Sequence, residues 1–255
     1  MQLFDTHAHY DAHQFDTDRA ELLAQLPEQG VGLIVNPGCD IPTSRQALDL
    51  AMRYDYMYAA VGYHPEGCAP YQESDLTILR DLAQHPKVVA IGEIGLDYHW
   101  EDNPPKELQQ QVFRAQMELA QELHLPVIVH DREAHADSLA MVKEFPAVKG
   151  VFHCFSGSVE LAQELIKLGW MISFTGVLTY NNARKAVEVA EAIPLEHIML
   201  ETDAPYMAPV PFRGKRCDSS LVLHTCERLA ELKGISVEDC ARITMENGKR
   251  FFGIK

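Results

Sequence analysis

The sequence predicts an α/β fold, a (β/α)8 TIM barrel with a metal site at the C-terminal ends of its strands, and three observations carry that reading. First, eight short β-rich segments alternate with longer amphipathic ones along 255 residues, roughly 32 residues per repeat and close to a βαβ unit of ~30. Second, several of the short segments are continuous apolar runs, such as Gly32-Leu-Ile-Val35 and Val88-Val-Ala-Ile91. Such runs suit parallel strands covered on both faces. Third, histidines and carboxylates recur where these strands end, which is where barrels of this kind carry their chemistry. An open doubly wound sheet is the competing arrangement. No Gly/Ser linker or composition break divides the chain, so one domain spanning residues 1–255 is expected.

Taken in order, the first strand, Leu3–His7, leads into Asp5-Thr-His7-Ala-His9. Val31–Asn36 is the second, and Met57–Gly62, the third, is followed by Tyr63-His64-Pro65. The fourth, Val88–Glu93, ends in Gly92-Glu93-Ile94-Gly95-Leu96-Asp97. The clearest helix spans about 105–123: Leu108, Val112, Ala115, Leu119 and Leu123 share one face, Pro105 suits a first turn, and Pro126 stops the pattern. Val127–His130 ends at His130-Asp131-Arg132, and Val148–His153 at His153-Cys-Phe-Ser-Gly157. Ser158 reads as the N-cap of a helix through Leu168, with Gly169 after its end. Met171–Phe174 and Ile198–Thr202 complete the eight, the last running into Glu201-Thr-Asp203-Ala-Pro205. Ser236-Val-Glu-Asp239 reads as a capping box opening a final helix.

Composition narrows the function. With 47% hydrophobic and 23% charged residues the chain is an ordinary soluble globular protein, neither disordered nor fibrous. A net charge of −15 at pH 7 excludes bulk electrostatic attraction to DNA or to an anionic membrane, so any nucleic-acid contact has to be local or mediated by metal ions. The N-terminus lacks the pattern of a signal peptide, and no apolar run approaches the ~20 residues of a membrane span. Six scattered cysteines without a C-x-x-C pair read as free thiols of a reducing compartment. A cytoplasmic monomer without membrane contact or obligate protein partner is expected.

His7 and His9, two apart on a strand, share a face and can both point to the barrel axis. Alone, an H-x-H pair is often a surface feature; here Glu93, His130, His153 and Asp203 end other strands and converge on the same mouth. Four imidazoles and two carboxylates are enough for two divalent metals. A buried carboxylate such as Glu93 is costly unless paired or bound to metal, and its two oxygens can bridge ions ~3.5–4 Å apart. Glu201 alternates to the same side as Asp203 and is expected behind the ligands, with Asp97 and Asp131 as further supports or loop-fixing residues. Arg213-Gly-Lys215-Arg216 clusters cations in the loop after the eighth strand, a frequent phosphate position in barrels, and His64 and Arg132 can add contacts from the other side. Cys154 is expected to point away from the site. Tyr98, Trp100, Tyr180 and Tyr206 are available for base stacking or for packing.

These motifs, in this order, resemble the TatD family of metal-dependent deoxyribonucleases, and the resemblance covers essentially the whole chain. It implies an amidohydrolase-like metal barrel that hydrolyses DNA, with one metal on His7, His9 and Asp203, a second on His130 and His153, and Glu93 shared between them. It also implies action at single-stranded ends, 3′-5′, with Asp203 and Glu93 as the catalytic carboxylates. One departure is visible: where the family pattern follows Arg-Gly-Lys-Arg with Asn-Glu-Pro, this chain reads Cys217-Asp218-Ser219. The expected reaction is two-metal hydrolysis of a phosphodiester, with Mg, Mn, Zn, Fe or Co as the metal. A metal-dependent amide, ester or lactone hydrolase is the alternative, because the same site chemistry attacks carbon. A non-catalytic metal-holding module is a second alternative.

Overall fold

Eight parallel strands, β1 (Leu3–Asp5), β2 (Val31–Pro37), β3 (Met57–Val61), β4 (Val88–Asp97), β5 (Val127–Arg132), β6 (Gly150–Phe152), β7 (Met171–Phe174) and β8 (Ile198–Leu200), pair in chain order in the computed structural model, which describes residues 1–255. The ring closes at the mouth, where the chain leaving β1 meets the chain leaving β8. The Thr6 N–H donates to the Leu200 carbonyl (3.0 Å), the Asp203 N–H to His7 (2.9 Å) and the His9 N–H to Ala204 (2.7 Å). This is the (β/α)8 barrel the sequence predicts. Outside lie α1 (Arg19–Gln25), α2 (Ile41–Arg53), α3 (Asp75–Ala83), α4 (Lys106–Leu123), α5 (His135–Glu144), α6 (Val159–Lys167), α7 (Arg184–Ala192), α8 (Val222–Lys233) and α9 (Val237–Phe252). No helix is long and apolar enough to cross a membrane.

The expected caps are present. Ser158 Oγ accepts from the Leu161 N–H, and Ser236 Oγ accepts from the Asp239 N–H (3.1 Å). A cap satisfies one of the otherwise unpaired donors of a helix start. The interior of the barrel floor is filled by Phe4, Val35, Ala60, Ala90, Ile128, Val151, Met171 and Met199, with Phe252 and Ile254 after them from the end of the chain. That plug seals the N-terminal end of the barrel, so the C-terminal mouth is the end left for chemistry.

Four strands stop before the sequence-expected residue: Gly62 lies just past β3, and His7, His153 and Glu201 lie just past the last paired residues of β1, β6 and β8. Three run further, β2 to Pro37, β5 to Arg132 and, by the most, β4. β4 continues through Asp97 with all ten residues buried, so Glu93 is inside the strand and not its last residue. The α4 face also differs: its buried centre runs through Gln109, Val112, Phe113, Gln116, Met117 and Ala120, whereas Leu108 and Ala115 are only half-buried. The two glutamines explain the shift. Gln109 Oε1 accepts from the Asp97 N–H (2.8 Å), and Gln116 Oε1 accepts from the Tyr63 N–H (2.7 Å). Buried amides that satisfy strand-end backbone groups are favoured over apolar side chains that would leave those groups unpaired.

Candidate metal centre

Glu93 sits at a bulge. Ile91 pairs with Val127 but Ile94 with Val129, leaving one extra residue on β4, and the Glu93 N–H turns to the Gly38 carbonyl (2.9 Å). Bulges re-aim side chains next to functional sites. Two residues on, Gly95 has φ +139, and a Cβ there would lie 2.0 Å from the His130 carbonyl oxygen. Only glycine lets β4 and β5 approach this closely.

The Glu93 carboxylate is ringed by five imidazole nitrogens. Oε2 faces His7 Nε2 (3.2 Å) and His9 Nε2 (3.4 Å); Oε1 faces His153 Nε2 (2.8 Å), His130 Nδ1 (3.0 Å) and His64 Nε2 (3.3 Å). His7 Nε2 and His9 Nε2 are 3.0 Å apart, and the His7 and His153 rings stack at 4.0 Å. Asp203 Oδ1 is 3.8 Å from His7 Nε2 and 3.6 Å from His9 Nε2, on a residue with φ +58 that turns the chain into the mouth.

Hydrogen bonds behind the ring decide which atoms face the centre. His130 Nε2 lies 2.9 Å from Asp97 Oδ2, a carboxylate that also accepts from the His99 N–H (2.9 Å) and Asn103 Nδ2 (3.0 Å) through Oδ1. Burial raises the Asp97 pKa, but the His130 and His99 hydrogen bonds outweigh it and bring it to about 2. An ionised Asp97 accepts a hydrogen bond from His130 Nε2–H and so keeps the proton on Nε2, leaving the Nδ1 lone pair aimed at Glu93 Oε1. Two acceptors 3.0 Å apart repel unless a cation or a proton lies between them. His64 is arranged oppositely: its Nδ1 accepts from the Glu66 N–H (3.2 Å), so a neutral ring carries its proton on Nε2 and donates into the site. Glu201 accepts from the Cys154 N–H (2.6 Å) and from Ser173 Oγ (2.6 Å), with Oε1 3.4 Å from His153 Nδ1.

Without a cation the ring has to share protons. Burial pushes His130 down, but the Asp97 and Glu93 hydrogen bonds bring its pKa up to about 9. His7 falls to about 4, through burial and its neighbour His153. Burial pushes Glu93 up, yet His153, His64 and His7 together hold it well below its usual value. Burial raises Asp203 to about 6. Candidate ligand atoms gather in three groups, each within 4.8 Å: His7/His153/Asp203, His7/His9/Glu93 and His64/Glu93/His130. They flank Glu93 on both sides, and a nitrogen–oxygen donor set of this kind fits divalent metals.

Beside the ring opens a cleft of about 550 Å3, lined by His130, His153 and Asp203 of the ring and by Phe155, Val177 and Met207. Its cations are Arg132, Arg184 and Lys185. The loop cations expected from the sequence are elsewhere. Arg216 grips Asp18 with both terminal nitrogens (2.6 and 2.8 Å) and also donates to the Gln14 carbonyl. Arg213 lies over the Tyr180 ring (4.2 Å), and Lys215 is nearest the Phe212 ring (5.9 Å). None of the three lines the cleft. The Cys217-Asp218-Ser219 segment is nevertheless fixed: the Cys217 N–H donates to the Pro205 carbonyl, Asp218 caps the next turn, and Ser219 Oγ accepts from the buried Tyr10 hydroxyl (2.8 Å).

Two further placements differ from the alternation of a strand. Cys154, expected to point away, lines the cleft, because φ +42 breaks the alternation after β6. Asp131 does not reach the ring; it accepts from Ser138 Oγ (3.0 Å) and pairs with His135 Nδ1 (2.6 Å) at the start of α5. Arg184 and Lys185 carried no sequence signal beyond an exposed helix start.

A family model described as TatD related DNase matches residues 4–253. The uncharacterized metal-dependent hydrolase YabD of Bacillus subtilis is 46% identical over 254 residues, 99% of either chain. The 3′-5′ ssDNA/RNA exonuclease TatD of Citrobacter koseri is 34% identical over 261 residues, again 99% of either chain. Among solved structures, YjjV, a TatD homolog from Escherichia coli K12, superposes with a TM-score of 0.93 at 33% identity, covering 99% of this chain and 98% of that one.

Proposed function

The chain belongs to the family of TatD-related DNases, a metal-dependent hydrolase family, and we propose that it is a two-metal deoxyribonuclease acting as a monomer on single-stranded DNA ends. The observation that carries the reading is the crowding of five imidazole nitrogens, 2.8–3.4 Å away, around the single Glu93 carboxylate. One ion would be held by His7, His9 and Asp203 and the other by His130 and His153, with the Glu93 carboxylate, whose two oxygens face these two sets of imidazoles, available to both. The printed name of the Citrobacter relative supports a 3′-5′ direction on single strands. When bound, two such cations supply Lewis acidity to the phosphoryl oxygens and lower the pKa of the attacking water.

The protein's own groups do the rest. Asp203, whose carboxylate lies 3.6–3.8 Å from His9 and His7 at the mouth, would accept the proton of that water. His64 donates from Nε2 to a phosphoryl oxygen, and Arg132 neutralises the charge that develops there. Glu201 and Asp97 hold the ligand rings in place. Arg216 is pinned to Asp18, and neither it nor Arg213 or Lys215 lines the cleft.

The test is metal-stripped protein reconstituted separately with Mg, Mn, Zn or nothing, on 3′- and 5′-labelled single-stranded oligonucleotides, with His7→Ala and Glu93→Ala as controls. Metal-restored cleavage lost in both variants is expected, with a ladder shortening from the 3′ end. Two bound metals without cleavage of any phosphodiester would move the assignment to a carbon-centred hydrolase.

A further inference from the structure

Arg184 and Lys185 occupy the first turn of α7, where the positive end of the helix dipole disfavours cations, and no acidic residue shares that turn. Both are exposed, and neither makes an ion pair or a hydrogen bond. In a chain of net charge −15, two unpartnered cations on the rim of the cleft that contains His130, His153 and Asp203 face a site for an anion. Phe155, Val177 and Met207 form an apolar wall of the same cleft.

The wall is also rigid. Tyr180 Oη donates to the Ala208 carbonyl (2.9 Å), and the Val210 N–H donates to Thr179 Oγ1 (2.8 Å). Gly176 packs so closely that a Cβ there would lie 2.2 Å from the Met207 carbonyl oxygen. Arg132, which also lines the cleft, has its guanidinium over the half-exposed Trp100 ring at 5.0 Å. About 550 Å3 is within the ~300–1,000 Å3 of small-ligand pockets and far below what a duplex needs.

We infer that this cleft receives the penultimate nucleotide of a single strand, its base on the Phe155–Val177–Met207 wall and its 5′ phosphate on Arg184 and Lys185. The assignment rests on the phosphodiesterase reading above and adds to it the residues that select an unpaired strand. An apolar wall accepts a base only when that base is unstacked, which a single-stranded end supplies and a paired one does not. The cations hold the phosphate one nucleotide to the 5′ side of the scissile one, on the strand that is retained after the cut.

The experiment compares the Mn-loaded wild type with Arg184→Glu/Lys185→Glu, and with Arg45→Glu/Arg53→Glu as a remote variant of the same charge change. Three quantities are read: kcat and KM on a labelled single-stranded oligonucleotide, turnover of bis(4-nitrophenyl) phosphate, and calorimetric binding of deoxyadenosine 5′-monophosphate against deoxyribose 5-phosphate. The Arg184/Lys185 variant is expected to raise the oligonucleotide KM at least ~10-fold, as lost charge-assisted contacts do, with kcat and small-diester turnover within about twofold. The wild type should bind the nucleotide at least ~10-fold more tightly than the sugar phosphate, as base stacking requires. A KM unchanged, or raised equally by the remote variant, overturns the cleft assignment while leaving the nuclease standing. So does equal binding of nucleotide and sugar phosphate. A wild type that turns over neither diester sinks the phosphodiesterase reading itself.

Discussion

Replacing Asp97 by asparagine tests the tautomer logic of the centre. The position of Asp97 Oδ1 is fixed as an acceptor by the His99 N–H (2.9 Å) and Asn103 Nδ2 (3.0 Å). In Asp97→Asn the amide oxygen therefore stays there, and the NH2 group is turned to His130 Nε2, 2.9 Å from where Oδ2 stood. Nε2 then has to accept, and the ring proton moves to Nδ1, the atom 3.0 Å from Glu93 Oε1. One lone pair aimed at the metal is lost. Changes behind a metal ligand cost ~10–100-fold in affinity or activity, or about 1.4–2.7 kcal/mol. Asp97→Ala removes the support but leaves the ring free to choose its tautomer, so its loss of affinity is expected to be smaller. The assay is calorimetric Mn titration of stripped protein with kcat on a single-stranded oligonucleotide, and thermal unfolding kept as a separate readout of stability. Wild-type affinity in Asp97→Asn, or a larger loss of metal affinity in Asp97→Ala, would refute the reasoning.

Three further outcomes are expected. Metal at ~100 times its Kd stabilises the protein by about 2.7 kcal/mol, so chelation should lower Tm by roughly 5–11 °C, a difference absent in Glu93→Ala. Gly95→Ala forces a Cβ to within 2.0 Å of the His130 carbonyl in a left-handed conformation; a loss of at least ~3 kcal/mol in urea unfolding is expected, and near-wild-type stability would mean that β4 and β5 are not pinned there. His135 has its pKa raised by the hydrogen bond to Asp131, against burial. The pair's stabilisation is thus fully present below the unfolded pKa of ~6.5 and fades as pH rises through the higher folded value. His135→Ala should cost up to ~1 kcal/mol at pH 6 and less at pH 9, and an equal cost at both would remove the ion pair from the account.

The barrel and the ring of candidate ligands were legible because both follow from short-range pattern: apolar runs mark the strands, and the unusual residues mark their ends. What escaped the sequence depends on partners far along the chain or on broken periodicity. The bulge at Glu93 was hidden by glycines at 92 and 95 that read as a turn, although β4 continues through them. Gln109 and Gln116 looked like the solvated side of a helix; they are buried because strand ends on β4 and after β3 need their amides. Arg216 looked available for phosphate, but Asp18, almost two hundred residues earlier, holds it. Arg184 and Lys185 were not among the sequence candidates; they line the cleft together with residues that follow β5, β6 and β7.

The most direct test of two metals acting around one carboxylate is a joint titration. Mn is added to stripped protein while bound metal and hydrolysis of a single-stranded oligonucleotide are followed in the same samples. Activity is expected to appear as the second equivalent fills, and Glu93→Gln should bind the metals weakly and stay inactive. Full activity at one equivalent, or none with two bound, would contradict it.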